Sequence, residues 1–171
     1  MAPAPLPGAS ESGAPTPTVS ASATPDASPT PEVEASIPLE LGCADLISAD
    51  TMFAFNPNFA ALAEWTPEAG TPAAAALAAD GVACRWVRES GGASVDLAAS
   101  RLGDAALAAA IDAATGSPVD FGDEAYFSSD ANERGTLVVF SGSARLVLSS
   151  VYFGEAGDAT VLVESALAAL N

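Results

Sequence analysis

The stretch GVACRWVRESGGASVDLA, residues 81–98, narrows the folding options more than any other part of the chain. Val82, Cys84 and Trp86 alternate with Ala83 and Arg85, the period-2 pattern of a strand with one buried face. Ser90-Gly91-Gly92 supplies a turn, and Val95 and Leu97 alternate with Ser94 and Asp96 on a return strand. This hairpin sends Cys84 and Trp86 to a core and sets Arg85 across from Asp96 on the outer face. The plan recurs downstream. Thr136 to Phe140 reads as a strand, Ser141-Gly142-Ser143 as a turn, and Arg145 to Phe153 as a longer strand. The consecutive apolar residues of LVVF and LVL suit central strands covered on both faces. Each hairpin is followed by a helical segment, GDAALAAAIDAATG (103–116) and then DATVLVESALAAL from Asp158. The order hairpin–helix, hairpin–helix predicts an α+β fold, an antiparallel sheet with helices packed on it.

Before the first hairpin the chain is less regular. CADLISADTMFAF reads as a turn and a short helix that Ser48 caps. Turn signals follow at Asn56-Pro57, Thr66-Pro67 and Thr71-Pro72. AAAALAADG, residues 73–81, reads as a short helix ending at a glycine. Between the helical segment at 103–116 and the second hairpin lies DFGDEAYFSSDANERG (120–135), expected as a solvated loop with Tyr126 and Phe127 packing inward. Asp130, Asn132 and Gly135 imitate the start of a calcium loop. Position five is Arg134 and position twelve is Ser141, so the ligand pattern fails.

Residues 1–36 differ in kind. Eight of the 13 prolines precede residue 32 and no aromatic residue occurs there. A Pro/Ala/Ser/Thr-rich segment of this composition buries too little apolar surface to offset its ordering entropy. It is expected to be a disordered, extended linker that tethers a single globular domain at 37–171. MAPAPLPGAS has neither the basic start nor the apolar run of a signal peptide, and no run is long enough to span a membrane.

Composition closes many function classes. There is no histidine, which removes the commonest general base, the Ser-His and Cys-His pairs and the histidine-containing zinc sites. There is no lysine, so neither a Schiff base nor a P-loop lysine is available. Five arginines stand against 22 acids, a formal net charge of −17. Such a surface repels nucleic-acid phosphates and anionic lipid headgroups. No cofactor, metal or catalytic residue is expected. Among 22 acids some pair always meets the spacing of a carboxylate hydrolase, so that reading carries little.

Two features remain. Cys43 and Cys84 are the only cysteines. In a reducing cytosol such a pair would be free core thiols, and in an exported domain it reads as a disulfide. We expect the disulfide, which would pin the N-terminal turn to the central hairpin. Phe53, Phe55, Phe59 and Trp65 cluster in the least regular segment. They are the candidate contacts for a ligand or partner protein, the alternative being a lid over the core.

The segments Cys43-x-x-Leu46-Ile47-Ser48 and Gly81-x-x-Cys84-Arg85-Trp86 resemble motifs of uncharacterised secreted lipoproteins of actinobacteria. The domain is similar in outline to the extracellular sensor domain of mycobacterial serine/threonine kinases. The resemblance covers roughly residues 37–100, and the alanine-rich, lysine-free usage agrees with a high-GC source. It implies a disulfide between the two cysteines and lipid anchoring through an upstream cysteine and a spacer. No cysteine precedes Cys43 in this chain. The expectation is therefore a non-enzymatic, extracytoplasmic binding or sensor-like domain, monomeric. Its partner would be a cell-envelope component, a small ligand or a protein. The rival is a structural or accessory module without a ligand pocket.

Overall fold

The computed structural model describes residues 36–171. The linker expected over 1–36 therefore lies, Ser36 excepted, outside the described residues. The fold is α+β, as the two hairpins predict. Helices α1 (Cys43–Leu46) and α2 (Ala49–Phe55) are followed by strand β1 (Phe59–Ala61), helix α3 (Pro72–Ala78), the hairpin β2 (Val82–Arg88) and β3 (Ser94–Arg101), and helix α4 (Asp104–Asp112). Then come β4 (Ser117–Val119), β5 (Glu124–Ser129), the hairpin β6 (Gly135–Ser141) and β7 (Ala144–Ser150), and helix α5 (Thr160–Leu170). All seven strands join one antiparallel sheet in the order β1-β2-β3-β7-β6-β5-β4. The two predicted hairpins meet back to back at its centre, where β3 pairs with β7 from Val95↔Ser150 to Arg101↔Ala144.

Strand alternation divides the side chains between two faces. One face carries Cys84, Trp86, Val95, Leu97, Leu137, Val139, Leu146 and Leu148, all buried. The fully buried Leu162, Val163 and Ala166 of α5 pack into the same core, together with Leu46 of α1 and Met52 of α2. Ser48 caps α2 by accepting the Thr51 N–H at 3.1 Å. The Cys43–Cys84 disulfide is formed, with Cα atoms 5.7 Å apart, and ties the first turn of α1 to β2. The other face carries a small second core. There Ala73 and Ala76 of α3 sit on Ala98 and Val147, flanked by Trp65, Ala83 and Val138. Alanines let this short helix lie close to the strands. Gly81 completes the fit, because a Cβ there would stand 2.2 Å from the Ala99 carbonyl oxygen and 2.8 Å from that of Ala76.

Four expectations are corrected. The segment 120–135 is not simply a solvated loop, since β5 runs through it and pairs with β6 from Glu124↔Phe140 to Ser129↔Gly135. Ala125 and Phe127 pack on the main core, so Tyr126, one residue away, points to the opposite face. The left-handed residue that ends α3 is Asp80, at φ 51, rather than the glycine after it. Helix α4 keeps its predicted place after the first hairpin, but none of its residues is buried.

Candidate functional site

The antiparallel register lines up one polar row across the second sheet face. Arg85 of β2 faces Asp96 of β3, Asp96 faces Ser149 of β7, Ser149 faces Thr136 of β6, and Thr136 faces Ser128 of β5. The next row is apolar at its centre, with Ala83, Ala98, Val147 and Val138 in succession. Helix α3 covers the Ala98 and Val147 part of the apolar row and stops short of the polar one. The step between covered and uncovered rows leaves an open groove of about 480 Å³. Its walls include Trp65, Glu68, Thr71, Pro72 and Ala73, and its floor includes Arg85, Asp96, Ala98, Arg134, Thr136, Val147 and Ser149.

Asp96 organises the floor. Arg85 approaches it side-on, donating Nε–H to Oδ1 at 2.6 Å and Nη2–H to Oδ2 at 2.8 Å. Arg134 donates Nη2–H to Oδ2 at 2.6 Å from the other side. Arg134 stands just before β6 and reaches Asp96 over β7, where its Nε and Nη2 also donate to Ser149 Oγ at 3.3 and 3.2 Å. A turn holds it there. Asp130 Oδ1 accepts the backbone N–H groups of Asn132 and Arg134, and Glu133 adopts φ 59. The sequence that imitated a calcium loop is thus a hairpin turn that aims an arginine. Gly135 lets β6 start flush against Phe153, whose carbonyl oxygen would lie 2.0 Å from a Cβ.

Arg85 is also held from above. Its guanidinium carbon lies 4.1 Å from the centre of the Trp65 ring, a cation–π stack. Its pKa is raised, chiefly by the hydrogen bond to Asp96 and further by the charges of Asp96 and Glu68, against the opposing effect of burial. Arg85 therefore stays charged. Asp96 is the most enclosed of the three side chains, at 17% exposure against 31% for Arg85 and 26% for Arg134. Both arginines are thus more exposed than the carboxylate they share, and Glu68 on the groove wall stands against the second guanidinium charge.

The four candidate aromatic residues do not form one site. The sheet separates Trp65, in the groove, from the three phenylalanines. Phe55 packs against Phe59 and Phe153, with ring centres 6.1 and 5.9 Å away. Phe59 is buried and sits edge-on to Tyr152 at 5.5 Å. Phe53 is 68% exposed and rims a separate apolar recess of about 360 Å³ that includes Phe59, Trp86 and Cys43.

The remaining arginines are scattered. Arg88 makes no ion pair among the described residues and donates instead to the Tyr152 hydroxyl at 2.6 Å. Arg101 donates to the Leu170 carbonyl at 2.5 Å, a cation at the C-terminal end of α5 where the helix dipole favours it. Arg145 lies on the second face beyond the groove. Burial lowers its pKa, and its Nε has no hydrogen-bond partner.

Sequence reasoning placed Arg85 across from Asp96 and missed Arg134. The only signal for Arg134 was the Asp-x-Asn turn that precedes it. Among the described residues no three His, Cys, Asp or Glu side chains converge to hold a metal ion. Nor is any helix long and apolar enough to cross a membrane. Comparison with protein-family models, with curated proteins and with solved structures finds no match.

Proposed function

We propose that this is a non-enzymatic binding domain that works outside the cytoplasm, displayed on its Pro/Ala/Ser/Thr-rich spacer, with the groove beside α3 as its ligand site. One observation carries the reading. A chain with only five cations brings two of them, Arg85 and Arg134, to one carboxylate on the floor of an open groove. A structural ion pair has no need of an adjoining groove with an aromatic wall and the exposed Pro72 at its edge. Small-molecule sites combine these features, an apolar lining with a few fixed polar groups. Asp96 is engaged on both oxygens by guanidinium donors, which suits it to positioning rather than to exchanging protons. The Cys43–Cys84 disulfide supports an oxidising, extracytoplasmic setting.

The test is an NMR fragment screen on oxidised, isotope-labelled protein. Amide shifts confined to Trp65, Ala73, Arg134, Thr136 and Ser149 are expected, and they should vanish in Thr136→Trp, which fills the groove. Fragments that perturb only other surfaces, or that bind Thr136→Trp equally well, would refute the assignment. The exposed Phe53 at its apolar recess favours a second reading, an accessory module that docks a partner protein. Loss of partner capture in Phe53→Asp, with groove binding intact, would support it.

A further inference from the structure

Resting on the ligand-site reading of the groove, the geometry points to a small amphipathic monocarboxylate as the class of ligand: one carboxylate on Arg85 and Arg134, one apolar body against Pro72 and Trp65. Three observations carry this. First, the arginines hold donors in reserve. Arg85 uses Nε and Nη2 on Asp96, and Arg134 uses Nε and Nη2 on Asp96 and Ser149. Neither Nη1 has a hydrogen-bond partner among the described residues. A planar carboxylate offers two acceptor oxygens to two such donors. Second, the charge count disfavours a dianion. Two guanidinium groups stand against Asp96 on the floor and Glu68 on the wall, so no positive charge is left over for a second negative one, and the two arginines are more exposed than Asp96. A phosphate monoester carries nearly two negative charges at neutral pH. Its second charge would face Asp96 and Glu68 without a cation, in a chain of net charge −17. A cation would meet the guanidinium groups first. Third, the polar row runs up to the first turn of α3, where the exposed Pro72 and the half-buried Trp65 offer apolar surface, Ala98 and Val147 being covered by the helix. A molecule with its carboxylate over the polar row places an apolar body against Pro72 and Trp65.

The test uses three probes of similar shape: phenylacetate, its neutral amide phenylacetamide, and phenyl phosphate. Binding to the oxidised protein is followed by two-dimensional NMR of the backbone amides and the arginine Nε–H groups. Phenylacetate is expected to bind in the millimolar range, at least tenfold tighter than either competitor, with shifts at the Arg85 and Arg134 Nε–H signals. Arg134→Gln should weaken it about tenfold, the effect of losing one charge-assisted contact. Glu68→Gln changes only an exposed rim residue and so cannot be confused with misfolding. It should tighten phenylacetate about twofold by removing a nearby like charge. If the amide or the phosphate ester binds the groove as well as phenylacetate does, the carboxylate assignment is wrong and the ligand-site reading stands. If no probe shifts groove signals while the protein remains folded, both fall.

Discussion

Asp96→Ala is the sharpest probe of the groove floor. The substitution removes three charge-assisted hydrogen bonds, at 2.6, 2.8 and 2.6 Å, and leaves two guanidinium groups facing each other without a counter-ion. Exposed ion pairs contribute about 0.2–1 kcal/mol, and breaking a fully buried pair costs about 3–5 kcal/mol. With Asp96 at 17% exposure and its partners at 31% and 26%, the site lies between these limits, and solvent screening discounts the upper one. We expect a loss of about 2–3 kcal/mol, because one anion here serves two cations. For a domain of this size that lowers the melting temperature by roughly 6–12 °C. The assay is urea unfolding followed by circular dichroism at low ionic strength, together with Arg134→Gln and the double variant. The two sites share hydrogen bonds, so the double-mutant cycle should give a coupling of about 1 kcal/mol or more. A loss below about 0.5 kcal/mol, or a cycle that closes additively, would show Asp96 to be a solvated surface acid. The groove would then have no preorganised floor.

The other predictions concern separate parts of the molecule. Reducing the Cys43–Cys84 bridge opens a loop of sequence separation 41 and should lower stability by about 4 kcal/mol on the chain-entropy argument. In the folded protein neither thiol should react with alkylating agent before reduction, and intact mass measures this directly. Arg145→Met should raise the unfolding midpoint in urea, because the stem still packs while a desolvated charge and an unpartnered Nε are removed. A lower midpoint would contradict that. Tyr126 donates to Glu124, and this hydrogen bond, followed by desolvation and the Glu124 charge, raises its pKa above the ordinary phenol value. A raised folded-state pKa gives a contribution that is complete below the unfolded-state value near 10 and is lost as pH rises through the folded one. A phenolate absorbance titration should therefore show one of the two tyrosines ionising late, and Glu124→Ala, which removes both the acceptor and its charge, should shorten the delay.

Much of the fold was legible because short-range patterns carry it. The alternation of Val82, Cys84 and Trp86, the SGG turn and Ser48 before ADTMFAF each prescribe a local conformation, and the structure keeps all three. The edge beyond β6 was not legible. β4 has three residues, one of them Pro118, and in β5 the alternation of Ala125 and Phe127 is flanked by acids that suggest a solvated loop. The groove was half legible. A two-stranded hairpin fixes its own register, so Arg85 and Asp96 could be paired from sequence. Arg134 meets Asp96 only because β3 and β7, widely separated along the chain, pair at the centre of the sheet. Trp65 lies close in sequence to Phe53, Phe55 and Phe59, but the sheet passes between them, and proximity along an irregular segment carries no information about faces.

The bridge between α1 and β2 also governs how the domain would respond to pulling from its N-terminal side. The chain from Ser36 to Leu41 is held by few bonds, among them Ile37 N–H to the Arg101 carbonyl at 3.4 Å and Leu39 N–H to the Asp80 carbonyl at 2.9 Å. These would peel first. At Cys43 the load passes through a covalent bond into Cys84, on a strand flanked by hydrogen-bonded neighbours on both sides. The segment between the two cysteines, worth roughly 140 Å of extended contour, cannot lengthen while the bridge is intact. Both helices that follow the anchor, the β1 edge and the groove wall built from Trp65 to Ala73 lie inside that locked segment. Tension on the leading segment thus bypasses the groove wall and enters the sheet at Cys84, one residue from Arg85 on the groove floor.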